Sequence, residues 1–136
     1  MRCALDTNII SFLLKGDKDV NASYRKANDS GHVFIIPVVA YYEIKRGLLA
    51  VNAYRQMNLF DKLCNLFFVE EMSIAVWDKA AQIHVELKRR GTPLGRDDGD
   101  IFIAAHCLTN NYTLVTNNKS DFERIDGLRF IDWKIQ

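Results

Sequence analysis

Carboxylates are the residues of this sequence best placed to do chemistry. Asp6 follows the apolar run 1–5, and Glu43 lies in a helical pattern behind Pro37. Asp97, Asp98 and Asp100 crowd four consecutive positions, and Thr116-Asn117-Asn118, with Asp121 just beyond, adds further oxygens. Each has an ordinary explanation. Asp6 suits the cap of a helix beginning near Ile9, Glu43 a solvated helix face, Asn117-Asn118 a polar turn, and Asp121 the cap of a short turn over 122–125. The acidic loop is harder to explain this way, because a helix needs one cap and three neighbouring carboxylates repel.

The run 101–105 is apolar on all sides, which predicts a buried helix. Asp100 falls in its first turn, on the side of Ile103, Ala104 and Cys107. A carboxylate entering a buried helix calls for a cation. By this facing argument Asp100 is the first choice as ligand and Asp97, on the flank, the second. Asp98 points roughly opposite, toward solvent. Counting 100° per residue puts Glu43 on one face with Val39, Arg46, Gly47 and Ala50.

The elements that must position these groups alternate. Strands are expected at 1–5, 33–36, 67–69, 114–115 and 128–131. Helices are expected from Ile9 to a stop at Gly16, behind Pro37 with Ala40, Ile44 and Leu48 in register, around Leu59 and Leu63, over 73–90, and over 101–108. The segment 17–28 is polar, with weak helical periodicity. Strands alternating with helices predict an α/β fold with a central parallel sheet between two helical layers, as a single domain over 1–136. Ligands of such sheets collect at the C-terminal strand ends, where Asp6, the acidic loop and 116–118 would all converge. Several carboxylates gather at one place only around cations, and all-oxygen ligation selects Mg²⁺ or Mn²⁺. Such a centre activates water and stabilises a phosphodiester transition state.

Other chemistries find no support. His32, His84 and His106 lack metal-ligand spacing, and His106 reads as a helix-packing residue. No G-x-S-x-G, Walker or G-x-G-x-x-G motif occurs. The 136 residues are 49% hydrophobic with a formal net charge of +1, which excludes a strongly basic coat for non-specific DNA binding but not a local patch. Three cysteines without a C-x-x-C oppose a disulfide framework or a zinc site. No apolar run approaches the ~18 residues of a membrane span. Asp6 interrupts the first apolar stretch before a signal-peptide core forms, so a cytoplasmic location is expected.

Four motifs in register also carry a resemblance. Leu5-Asp6-Thr7-Asn8, Tyr42-Glu43-Ile44 before Gly47-Leu48, Asp100-x-x-Ile103-Ala104-Ala105-His106, and Leu114-Val115-Thr116-Asn117-Asn118 through Asp121-Phe122-Glu123-Arg124-Ile125 to Asp132-Trp133 occur in this order. Over nearly the whole chain the sequence resembles the PIN-domain ribonucleases, and among them the VapC toxins of bacterial toxin–antitoxin pairs. Residues 91–95 and the segment after Asn117 resemble the branch that cuts initiator tRNA in its anticodon stem-loop.

The resemblance implies a Mg²⁺-dependent endoribonuclease that forms a homodimer and is inhibited by a small VapB-type antitoxin. By position it makes Asp6 and Asp100 metal ligands, Glu43 the third acidic residue and Asn118 the fourth position, where many relatives carry Asp. Asn can coordinate or hold a water but brings no charge. Asp97, Asp98 and Asp121 remain acidic alternatives. Arg46, on the Glu43 face, and Arg96 are the candidates for phosphate contacts, while Lys88-Arg89-Arg90 suits the negative end of a helix dipole. Two other readings stand beside this one: a PIN nuclease acting on rRNA, mRNA or DNA, and a non-catalytic, metal-stabilised regulatory partner.

Overall fold

Residues 1–92 and 98–134 are described by a computed structural model. In chain order they form β1 (Arg2–Leu5), α1 (Thr7–Lys15), α2 (Lys18–Asp29), β2 (Val33–Pro37), α3 (Val38–Ala50) and α4 (Tyr54–Leu66). Then follow β3 (Phe68–Glu70), α5 (Ile74–Arg89), α6 (Gly99–Asn110), β4 (Thr113–Val115), α7 (Lys119–Phe122) and β5 (Phe130–Ile131). The strands make one sheet in the order β3-β2-β1-β4-β5, every neighbouring pair parallel. Parallel neighbours require crossovers, and the helices supply them. The predicted α/β architecture is the one observed.

β1 is the central strand. Ala4 pairs with Ile35 on one side and Leu114 on the other. Cys3, Ala4 and Leu5 are fully buried, as expected of a strand covered on both faces. The chain enters α1 immediately after it, so the residue at the strand end is also the residue at the helix start. Gly16 stops α1 in the left-handed region at φ 75°, its N–H bonded to the Leu13 carbonyl.

α6 is the buried helix that its composition predicted, with Ile101, Ile103, Ala104, Ala105, His106 and Cys107 all in the interior. α5 turns Val76, Ala80, Ile83 and Leu87 inward and is capped by the Ser73 hydroxyl, which accepts from the Val76 N–H at 3.4 Å. Leu87 alone, removed from water, is worth about 1.5–3 kcal/mol.

Several boundaries differ from expectation. The polar segment after Gly16 is a full helix: the Asp17 carboxylate caps it at Val20 N–H (3.0 Å), and Val20 and Ala27 supply its buried anchors. Two inward residues give a periodicity too sparse to be conspicuous. Phe67 lies outside β3; its N–H bonds back to the Leu63 carbonyl at the end of α4, and its ring joins Tyr24 and Phe34 in the core. Strand β5 is only Phe130–Ile131, and Leu128 is buried ahead of it. The short helix near Asp121 spans Lys119–Phe122 with Asn118 at its N-cap position, so Asp121 lies inside it and does not cap a 122–125 turn. Among the described residues no helix is long and apolar enough to cross a membrane.

Candidate active site

The site begins with Asp6, between the last residue of β1 and the first of α1. Its backbone N–H continues the sheet by donating to the Val115 carbonyl at 2.9 Å. Its side chain is only 3% exposed. Oδ1 accepts the Thr7 N–H and Oδ2 accepts the Thr116 hydroxyl, each at 2.8 Å. The Thr116 hydroxyl also accepts the Asn118 N–H at 3.0 Å, which ties the segment after β4 to the same carboxylate. Asp6 is thus the helix cap foreseen from its sequence position, but capping alone does not explain its burial or its second partner.

Thr7 connects Asp6 to the next acid. Its hydroxyl donates to Glu43 Oε1 at 2.8 Å, across 36 residues of sequence. Glu43 is half-buried on α3 and borders a cleft of about 380 Å³ shared with Val39 and Arg46, the face predicted by helical counting. The Arg46 guanidinium lies over the Tyr42 ring, 5.1 Å from its centroid.

Burial pushes the Asp6 carboxyl above its ordinary value. The hydrogen bonds from Thr116 and Thr7 oppose this, while the charges of Glu43 and Asp121 raise it further. Asp121 is therefore close enough to be felt at Asp6. Asn118 presents its backbone to Thr116 while the residue as a whole is exposed.

α6 carries the remaining acids. Burial, and next the charge of Asp6, push the Cys107 thiol up, and Cys107 lies on the buried face of α6. Asp100, seven residues earlier, starts the helix on that same face and is half-buried. Asp98 is exposed, as its predicted direction required, but not merely solvated: Oδ1 lies 3.5 Å from His84 Nδ1, and the residue borders the Glu43 cleft. Asp97 and Arg96 lie outside the described residues.

Among the described residues no basic side chain forms an ion pair with Asp6 or Glu43. Nor, among them, do three or more His, Cys, Asp or Glu groups close into a ready-made metal cage. A hard cation that keeps most of its waters and takes only one or two carboxylates matches such a donor set. The buried carboxylate of Asp6 is a donor of that kind, and Asp100 stands in the first turn of α6.

Thr7 is the side chain here that the sequence did not single out; Thr116 was expected among the oxygens after β4, but not its bond to Asp6. Asn8, whose Oδ1 accepts the Asn117 N–H at 3.3 Å, and Asp132, which accepts from Asn117 Nδ2 at 3.1 Å, complete the scaffold. All four stand inside or beside the quoted motifs. A hydroxyl next to a strand-end Asp was the available signal.

Comparison with known proteins agrees with this geometry. The PIN domain family model matches residues 3–128. Ribonuclease VapC1 of Haemophilus influenzae (strain R2866) is 29% identical over 133 residues, covering 95% of this chain and 96% of that protein. The tRNA(fMet)-specific endonuclease VapC of Shigella flexneri is 30% identical over 133 residues, covering 98% of each. The crystal structure of DNA-bound VapBC from Salmonella typhimurium superposes with a TM-score of 0.85 at 27% identity, over 98% of both chains. The chain belongs to the PIN-domain family and, within it, to the VapC ribonucleases.

Proposed function

We propose that this chain is the endoribonuclease toxin of a toxin–antitoxin pair and that it hydrolyses a phosphodiester of initiator tRNA, using Mg²⁺ or Mn²⁺. The observation that carries the reading is the buried Asp6 carboxylate, joined through Thr7 to Glu43 and matched by no basic side chain among the described residues. Asp6 and Asp100 would hold the ion. Bound there, it would supply positive charge to the scissile phosphate and lower the pKa of a coordinated water.

The protein's own contribution is position. Thr7 and Thr116 fix both oxygens of Asp6, and the Thr7 hydroxyl holds Glu43 at the edge of the cleft, where it can orient a water. Arg46, on the same helix face, is placed to meet a backbone phosphate. Asn118, bonded through its N–H to the Thr116 hydroxyl, supplies the fourth position, with Asp121 as the acidic alternative.

The initiator-tRNA substrate rests on the Shigella relative's specificity, and a VapB-type antitoxin partner on the solved VapBC complexes. A homodimer is part of the same reading. The test is to incubate purified protein with total bacterial tRNA and Mg²⁺, beside EDTA and Asp6→Asn controls, and to sequence the cleavage ends. A metal-dependent cut in initiator tRNA, absent from both controls, is expected. Cutting confined to rRNA or mRNA would move the substrate. No cutting with either metal would favour a non-catalytic partner.

A further inference from the structure

The cleft beside Glu43 has more built into it than hydrolysis requires. Tyr42, Arg46, Trp77, Asp98 and Phe102 border it together with Glu43. Its volume of about 380 Å³ falls within the roughly 300–1,000 Å³ of small-molecule sites. Trp77 is 40% exposed, although its neighbours Val76 and Ala80 are buried in the core. The Phe102 ring meets it at 4.9 Å and 71°, which holds the indole in place from the side. Arg46, stacked on Tyr42, borders the same cleft.

We propose that this cleft is a base-binding subsite that receives one unpaired nucleobase of the RNA, stacked against Trp77 and Tyr42, with Asp98 reading its edge. The inference rests on the ribonuclease reading and adds to it the element that selects sequence. Unpaired RNA bases are recognised by stacking on aromatic and guanidinium planes and by hydrogen bonds to their exposed edges, and the cleft offers all three.

The polar rim favours a base over an apolar peptide side chain. Glu43, Arg46 and Asp98 stand on that rim, and a nucleotide brings a phosphate for Arg46 and N–H groups for Asp98, whose other neighbour is His84. A carboxylate only accepts hydrogen bonds, so guanine, which presents N1–H and an amino group side by side, is preferred to uracil with its single N3–H. Continuity is direct: Glu43 borders the cleft and is bonded to Thr7 beside Asp6. Because Glu43 and Trp77 border the same cleft, a phosphate at the acids would bring an adjoining base into it.

The chain has two tryptophans, and the other, Trp133, is 4% exposed, so fluorescence quenching by RNA reports Trp77. The probe is the anticodon stem-loop of initiator tRNA, intact or with single abasic positions, titrated in EDTA into the full chain. Expected are quenching that one abasic position abolishes, and a Trp77→Ala variant with kcat/KM about ten- to hundredfold lower. Trp77→Phe should recover most of that loss, and Asp98→Asn should flatten the base preference at one position. Circular dichroism verifies the fold of each variant.

Cleavage by the wild type without quenching, and unaffected by Trp77→Ala, overturns the subsite while leaving the nuclease intact. Quenching without any cleavage upholds the subsite and defeats the nuclease reading. A Trp77→Ala protein that loses self-association or antitoxin binding but keeps kcat/KM per folded protomer overturns the proposal in favour of a protein interface.

Discussion

Two acidic groups lie at C-terminal strand ends of the same sheet, and they are treated in opposite ways. Glu70, at the end of β3, is enclosed by donors. Tyr112 Oη donates to its two oxygens, at 2.9 and 3.0 Å, and His106 Nε2 approaches Oε1 at 3.0 Å. A carboxylate only accepts, so His106 carries its proton on Nε2, leaving Nδ1 to accept from Asn110 Nδ2 at 3.3 Å. Burial and the Glu70 carboxylate push the Tyr112 phenol up to about 12, which keeps it a donor. Asp6 receives two neutral donors and, in addition, the repulsion of Glu43 and Asp121. A cluster that satisfies itself fastens one element to another. One that accumulates charge of a single sign waits for something from outside.

The comparison can be broken by substitution. The largest effect is expected at Asp6: Asp6→Asn should lower RNA cleavage by at least about 10²–10³-fold with the fold retained. Cleavage assays beside circular dichroism check this, and a fully active variant would make Asp6 a mere cap. His106→Ala should do the reverse. It empties a buried site and removes one donor from Glu70, costing roughly 2–4 kcal/mol in denaturant unfolding while kcat per folded molecule is kept.

Thr116→Val comes next. It removes a bond that lowers the Asp6 pKa, so the acid limb of the pH–rate profile should move to higher pH, with about 1–2 kcal/mol lost in stability. The smallest effect concerns pH and stability without metal. Because the folded-state pKa of Asp6 lies above its unfolded 3.8, the stability it contributes is complete below that value and is lost as pH rises through the folded pKa. Melting curves from pH 3 upward should therefore fall more for the wild type than for Asp6→Asn.

The same contrast explains what could be read from the sequence. Asp6, Glu43 and Asp100 were legible because each sits at a local landmark: a strand end, a helical face beside a glycine, the first turn of an apolar helix. Thr7 was not, nor was the bond from Thr116 to Asp6, since these contacts join residues 36 and 110 positions apart. His106 was read as a packing residue. It is buried, but its partner comes from an edge strand of three residues whose start the sequence reading misplaced by one. Residue α2 anchors Val20 and Ala27 were too few to make a pattern, and the Asp17 cap was the better signal. Asp121 was left between a turn cap and an acidic alternative, because the helix around it is a single turn, too short for periodicity to register.

The proposed cation site includes Asp6 and excludes Glu70. The most direct measurement is the thermal midpoint of the protein with increasing Mg²⁺, for the wild type and for Asp6→Asn. A rise that saturates in the wild type and is absent from the variant is expected. An equal rise in both, or none in the wild type across millimolar Mg²⁺, would contradict it.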